Sequence, residues 1–310
     1  MSDRPEGAAP DPSPPPLAIV GPTASGKSAL ALALATRHRN VEILSADAMA
    51  VYRGMSIGTA KPTTEELDLV AHHGVDLYDP AEECTVADYH RYAANVIWDM
   101  QSRGIVPLIV GGTGLYVRAV VDDFTVPPRY PAAKAEHERE PDTALLWSRL
   151  AELDPAAAAK MLPSNRRRIL RALEVTIGSG RPFSSFGPGV DHYPPTRFRL
   201  AGLEIDRAIM DDRIGARYDR QMAEGLLAEV EAVRRAGMSK TAAQALGYKE
   251  LAQHLDGLIS LDEALDEAKR RTRRFARRQQ RWFRRDPRIS WFDAMADDLV
   301  DQVAGWWATG

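Results

Sequence analysis

Leu17-Ala-Ile-Val20-Gly21-Pro-Thr-Ala-Ser-Gly26-Lys27-Ser28 is the stretch that decides the architecture of this 310-residue chain. Leu17 to Val20 is a short apolar run of the length expected for a buried strand, and Ser28 to Arg37, rich in Ala and Leu, reads as a helix. The loop between them satisfies G-x-x-x-x-G-K-[ST] in the strand–loop–helix setting that the motif requires. Gly21 and Gly26 let the backbone turn so that successive N–H groups and the helix N-terminus point at phosphate oxygens. Lys27 adds a point charge, and the Ser28 hydroxyl sits where a Mg²⁺ bridging two phosphates takes a ligand. Thr23, Ala24 and Ser25 complete the loop, so Gly21 to Ser28 is the expected diphosphate cradle.

Two more apolar runs, Val41 to Ser45 and Val106 to Val110, each end in polar or glycine residues and are separated by helical patterns. Strand and helix alternate, which predicts an α/β fold with a P-loop NTPase-like parallel sheet covered on both faces. The pattern breaks at Pro127, Pro128 and Pro131 and again at Pro182, Pro188, Pro194 and Pro195. Between these junctions the sequence is helical, notably Thr143 to Leu153 and Arg166 to Ile177. The expected organisation is a catalytic core from residues 17–123 and 196–310, interrupted by a mainly helical insertion at 124–195. After the junctions one strand-like run, Phe198 to Ile205, precedes what reads as long amphipathic helices to the end. Residues 1–16, with six Pro, are expected to form a disordered tail.

With 45% hydrophobic and 27% charged residues the chain can bury a large core. Cys84 is the only cysteine, which excludes an intrachain disulfide and a cysteine-rich zinc site and fits a reducing, cytoplasmic setting. Leu17 to Val20 is too short for a signal sequence or a membrane span, so no membrane association is expected. A net charge of −3 says nothing about a polyanionic partner; the distribution of charge must decide.

A phosphate loop alone serves triphosphatases, small-molecule kinases and pyrophosphate-releasing transferases alike. Asp47 closes the run Ile43-Leu-Ser-Ala-Asp47, and strand C-termini border the ligand crevice of an open parallel sheet. It can hold a metal, take a proton from an attacking hydroxyl or amine, or simply cap the next segment. The next run ends in Gly111-Gly-Thr-Gly114 where an ATPase would place a second acid, which argues against ATP hydrolysis; Thr113 offers a hydroxyl near a phosphate. Lys269 to Arg285 holds ten basic residues and no acid, with Arg270, Arg274, Arg277, Arg281 and Arg285 at helical spacing. Arg277, Arg278 and Arg281 are therefore candidates for contact with a nucleic-acid backbone. Leu265, Ala268, Thr272, Phe275, Gln279 and Trp282 form the face expected to seat this helix on the core.

Six motifs in order, Gly21 to Ser28, Ser45-Ala-Asp47, Tyr52-Arg-Gly-Met-Ser-Ile-Gly-Thr-Ala-Lys-Pro62, Gly111-Gly-Thr-Gly-Leu-Tyr116, Arg171-Ala-Leu-Glu174 and Gly247-Tyr-Lys-Glu250, resemble the tRNA dimethylallyltransferase family. The resemblance implies transfer of a dimethylallyl group from dimethylallyl diphosphate to N6 of the adenosine 3′ of the anticodon, with release of pyrophosphate. It further implies Mg²⁺ as cofactor, Asp47 as the catalytic acceptor of the amine's proton, Thr113 as its helper at the phosphates, and Arg217 as a further diphosphate ligand. His72 also matches a family histidine. Contact with the anticodon stem-loop of tRNA is implied for Asp47, Ala48 and Met49, for Arg167, Arg168 and Arg171 in the insertion, and for Gln244, Gly247 and Lys249. Ser28 stands where some relatives carry Thr, with the hydroxyl kept. The lone Cys84 leaves no ligands for the zinc finger of eukaryotic members, which implies the bacterial type, and a monomer is expected. Two alternatives remain at this point: a relative that prenylates free adenylate, and a P-loop small-molecule kinase.

Overall fold

The computed structural model describes residues 14–38, 40–124 and 126–309; the tail read at 1–16 lies, up to residue 13, outside them. The order of elements begins β1 (Leu17–Val20), α1 (Lys27–Arg37), β2 (Val41–Ser45), α2 (Thr64–Leu69), β3 (His72–His73), α3 (Val86–Ser102), β4 (Val106–Gly111) and α4 (Gly114–Val121). Four helices follow, α5 (Pro131–Glu138), α6 (Thr143–Leu153), α7 (Pro155–Ala158) and α8 (Arg166–Ser179). The chain closes with β5 (Arg199–Glu204), α9 (Arg207–Ala223), α10 (Leu226–Ala236), α11 (Tyr248–Leu255), α12 (Leu261–Phe283), β6 (Ile289–Asp293) and α13 (Leu299–Ala308).

Among the described residues these strands form one six-stranded sheet in the order β3-β2-β4-β1-β5-β6. Every neighbouring pair is parallel. The motif strand is central: Leu17 pairs with Leu108 on one side and Arg199 on the other, and Val20 with Gly111 and Gly202. All four β1 residues are buried because alternate side chains enter two cores. Leu17 and Ile19 pack with α1 residues Leu30 and Leu34 and with Trp307 of α13, while Ala18 and Val20 face Tyr89, Ile97 and Met100 of α3. Covering both faces is what a parallel sheet needs, and it leaves the strand C-termini as the accessible edge.

Sequence patterning reads β1, β2, β4 and β5 but not β3 or β6. β3 has two residues, too few for a pattern, and β6 is an edge strand whose Ile-Ser-Trp-Phe-Asp is half-buried without alternation. The C-terminal part is therefore not purely helical. α12, closed at its start by a capping box between Ser260 and Glu263, buries Ala264, Ala268, Thr272, Ala276, Gln279 and Phe283. The seating face is thus rotated from the one patterning predicts: Leu265, Phe275 and Trp282 flank it, and small alanines let the helix approach closely.

The chain divides into two compact units, one comprising Asp122–Pro194 and the other the sequence on either side of it. The smaller unit is helical among its described residues, with a core of Leu146, Leu150, Ile169, Ala172 and Leu173. Buried Asp154 stitches it by accepting from Ala157 N at 3.0 Å and Ser184 N at 2.7 Å. No described helix is long and apolar enough to cross a membrane.

Leu108, fully buried in β4 between β1 and β2, carries the prediction for this architecture. Truncation to Ala should cost about 2–5 kcal/mol, read as a lower urea midpoint; an unchanged midpoint would contradict the packing described.

Candidate active site

The phosphate loop leaves the C-terminal end of β1 and turns into α1 through Gly26, whose φ of 90° is left-handed and suits a residue without Cβ. Ala24 is also left-handed, at φ 65°, a conformation that costs an L-residue energy and is held here by its surroundings. Lys27 Nζ folds back to Pro22 O at 2.5 Å. Ser25 is buried, and its Oγ has no hydrogen-bond partner among the described residues. Ser28 presents its side chain at the exposed first turn of α1.

Three further elements converge on the loop. Arg217 of α9 donates through Nη1 to Thr23 Oγ1 and through Nη2 to Gly58 O, each at 3.1 Å. Arg213, one turn earlier, reaches Ala24 O at 3.4 Å. From the segment after β2, Asp47 Oδ1 accepts Met49 N at 2.8 Å and Ala50 N at 3.3 Å, while Oδ2 makes no hydrogen bond among the described residues. Asp47 is thus both a cap and a carboxylate with one oxygen to spare. Thr113, in the turn after β4, accepts Ala48 N on its hydroxyl at 3.1 Å and donates its own N–H to Ala46 O at 3.3 Å, so it braces the Asp47 segment.

Electrostatics tie these groups together. Burial pushes the Lys27 ammonium down from 10.5 to about 8; the Asp47 carboxylate opposes that shift and the Arg217 guanidinium adds to it. Burial also lowers Arg217, with Asp47 again among the groups that favour its charge. Lys27, Asp47 and Arg217 therefore share one field.

The structure also supplies residues that the sequence reading assigns no role in the site. Gln279 of α12 accepts Thr23 N on Oε1 and donates from Nε2 to Gly112 O, both at 2.9 Å. Glu229 of α10 accepts the N–H groups of Ser56 and Ile57 at 2.8 Å, Gly58 N at 2.9 Å and the Tyr248 hydroxyl at 2.5 Å. These contacts clamp the loop that offers Gly58 O to Arg217. The only sequence signals are a polar residue on the buried face of α12 and the placing of Tyr248 inside a quoted motif.

The remaining expected residues are distributed as follows. Ala48 and Met49 are half-buried beside Asp47; Gln244 and Lys249 are exposed, and Gly247 is buried at the start of α11. Arg281 is exposed without an ion pair among the described residues, Arg278 lies over the Phe275 ring at 5.6 Å, and Arg277 faces Asp211 at 3.9 Å. In the smaller unit Arg167 and Arg168 are exposed on the first turn of α8. Arg171 instead donates to Pro127 O at 2.6 Å and pairs with Glu174 at 2.8 Å. The His72 ring lies 2.8 Å from Val70 O, a structural contact in β3. Among the described residues no three His, Cys, Asp or Glu side chains cluster as a metal site.

A phosphate cradle at the end of a central parallel strand, opposed by a carboxylate with a free oxygen, defines a P-loop group-transfer enzyme. The family model described as IPP transferase matches residues 50–286, and that described as Isopentenyl transferase matches residues 17–73. The tRNA dimethylallyltransferase of Salinispora arenicola is 47% identical, covering 92% of this chain and 84% of that protein. That of Carboxydothermus hydrogenoformans is 45% identical over 91% of this chain and 92% of its own. The crystal structure of the full-length tRNA isopentenylpyrophosphate transferase from Bacillus halodurans is similar at a TM-score of 0.70 and 38% identity, covering 96% of both chains. The chain belongs to the IPP transferase family, the prenyltransferases known as tRNA dimethylallyltransferases.

The Lys27 environment yields a pH prediction. Its pKa in the folded protein lies below the unfolded value of 10.5, so the folded state binds fewer protons between about pH 8 and 10.5 and this group's contribution to stability rises with pH there. A bound diphosphate favours the charged ammonium and raises the pKa again. Pyrophosphate binding near pH 8 should therefore take up protons, measured by calorimetry in buffers of different ionisation enthalpy, and Lys27→Met should abolish the uptake. A wild-type binding enthalpy independent of buffer would contradict this.

Proposed function

We infer that this protein transfers the dimethylallyl group of dimethylallyl diphosphate to N6 of the adenosine 3′ of the anticodon in tRNA, releasing pyrophosphate in the cytoplasm. One observation carries the reading beyond family membership: the phosphate loop and the Asp47 carboxylate, which keeps one oxygen free of hydrogen bonds among the described residues, share one electrostatic field through Lys27. In the reaction the allylic C–O bond breaks and its electron pair leaves on the diphosphate. Backbone amides of Gly21 to Ser28, Lys27 and Arg217 stabilise that developing charge where burial makes each interaction stronger than in water. The N6 lone pair forms the new C–N bond, and Asp47 Oδ2 takes the proton that N6 gives up. Oδ1 stays committed to Met49 and Ala50 and so holds the carboxylate in orientation. Thr113 keeps the Asp47 segment at its height above the loop.

The Ser28 hydroxyl is a hard oxygen ligand on the first turn of α1 and fits a Mg²⁺ that arrives with the diphosphate; the ion would neutralise charge on the leaving group. Buried Ser25 Oγ, which has no partner among the described residues, suits an anion in the cradle as well. For the acceptor, exposed Arg167 and Arg168 in the insertion and Lys249, Gln244, Arg278 and Arg281 in the core offer groups for the backbone of an anticodon stem-loop, whose single-stranded bases can splay into a pocket. Arg171 supports the insertion by fixing Pro127 rather than as a free cation.

Radiolabelled dimethylallyl diphosphate with Mg²⁺ and either unmodified tRNA or AMP, with ATP hydrolysis followed in parallel, tests the reading. Label should move to tRNA alone without ATP consumption. Label on AMP would mean a free-nucleotide prenyltransferase, and ATP turnover without prenyl transfer a kinase or ATPase. In the same assay Asp47→Ala should lower turnover by ~10²-fold or more while diphosphate binding is largely kept; unchanged turnover would remove Asp47 from the mechanism.

A further inference from the structure

We propose that Gln279 is a positioning residue for prenyl transfer: by bridging the phosphate loop and the turn after β4, its amide fixes the diphosphate cradle relative to Asp47. The inference rests on the reading of the reaction given above. Gln279 is 7% exposed, on the buried face of α12, and its amide orientation is set by its partners. Thr23 N is a donor and Gly112 O an acceptor, so only Oε1 can meet the first and only Nε2 the second.

Both partners lead directly to reacting groups. Thr23 lies in the phosphate loop and receives Arg217 on its hydroxyl. With its N–H committed to Gln279, Thr23 is held with that hydroxyl toward the guanidinium. Gly112 precedes Thr113, whose hydroxyl receives Ala48 N next to Asp47. One neutral amide thus completes a continuous path between the donor cradle and the proton acceptor: Thr23, Gln279, Gly112, Thr113, Ala48. The fit leaves no slack. A Cβ on Gly112 would stand 2.2 Å from Gln279 Nε2, and one on Gly114 would stand 2.1 Å from Trp282 Nε1, so α12 rests directly on this turn. The same helix carries Arg277, Arg278 and Arg281, so one element both braces the donor cradle through Gln279 and presents a basic face.

A packing role predicts that volume matters; a positioning role predicts that donor and acceptor capacity matter. Gln279→Glu separates the two because it keeps the shape. Protonated, its carboxyl accepts from Thr23 N and donates to Gly112 O as the amide does; ionised, it has no donor and sets a negative charge against a carbonyl oxygen. Burial raises the pKa of such an acid above its usual ~4.3. The other charged groups around the loop act on that acid as well: Lys27, Arg213 and Arg217 favour its ionised form, and Asp47 its neutral form.

The experiment uses the full chain with Gln279→Ala and Gln279→Glu, both below their unfolding midpoints. It reads kcat for prenyl transfer to tRNA and the Kd of pyrophosphate with Mg²⁺ from about pH 5.5 to 8.5. Gln279→Ala should lower kcat by about 10²-fold, the scale of an ångström-sized misplacement, with the KM for tRNA little changed. It should weaken pyrophosphate by about tenfold, because Thr23 N and Gly112 O lose their partner. For Gln279→Glu both ratios to wild type should recover as pH falls. Values for Gln279→Ala within twofold of wild type, or ratios for Gln279→Glu that stay flat with pH, would reduce Gln279 to a packing residue and overturn the proposal. Wild-type transfer to tRNA judges the reaction itself; should that fail, the pyrophosphate ratios alone still decide the role of Gln279.

Discussion

Two half-buried cations, Lys27 and Arg217, are drawn largely out of water at the end of β1, and the rest of the site is arranged around the cost of keeping them charged there. Withdrawal from water is the main reason that Lys27 is pushed down to about 8, and the like charge of Arg217 adds to it. Asp47 offsets part of that cost, with one oxygen spent on the N–H groups of Met49 and Ala50. In the proposed reaction a diphosphate satisfies such a pair, and more so as the leaving group gathers charge. That difference between ground state and transition state is what makes the arrangement catalytic rather than merely adhesive.

Holding cations in place away from water requires rigid partners, and the chain supplies them from distant segments. Arg217 is anchored on Gly58 O, and the Ser56 to Gly58 loop is in turn fixed by three N–H bonds to Glu229. Buried Gln221 donates to Ile57 O from the other side. The Tyr248 hydroxyl completes Glu229, and Glu250, buried at the start of α11, pairs with Arg271 of α12. The Gly247-Tyr-Lys-Glu250 motif is therefore half framework: Tyr248 and Glu250 point inward and hold α10, α11 and α12 together, while Lys249 faces solvent. The phosphate loop sits on the central strand for a related reason. β1 is bonded on both sides along its whole length, so its C-terminal end is among the least free in the sheet.

What could be read from sequence is what is local. The four-residue strand, the glycine turn and the helix that make the cradle lie within 21 residues, Leu17 to Arg37, and each has its own propensity signal. Asp47, Thr113 and Arg217 were visible as residue types at motif positions, and the fold brings them to the same edge of the sheet. Gln279 was legible only as a member of the buried face of α12, because its partners Thr23 and Gly112 lie 256 and 167 residues away. Glu229 is separated from Gly58 by 171 residues and carries no pattern of its own. Arg171 shows the opposite limit: a basic side chain beside Arg167 and Arg168 looks like part of a cationic patch, but it is held by backbone carbonyls and Glu174. The edge strands escape patterning because half-buried strands need no alternation; on α12, Ala268, Thr272 and Gln279 are buried as patterning predicts, while Ala264, Ala276 and Phe283 take the places expected for Leu265, Phe275 and Trp282, the small alanines letting the helices approach closely.

In the proposed reaction the P-loop grips a leaving group and Asp47 faces the attacking amine across it. A crystal structure with a non-reactive thiolo analogue of dimethylallyl diphosphate, Mg²⁺ and an anticodon stem-loop tests that directly. The account predicts the diphosphate within the amides of Gly21 to Ser28, with Lys27 and Arg217 on its oxygens and the splayed adenine N6 about 3 Å from Asp47 Oδ2. A diphosphate bound away from that loop, or an adenine amine out of hydrogen-bonding reach of Asp47, would contradict it.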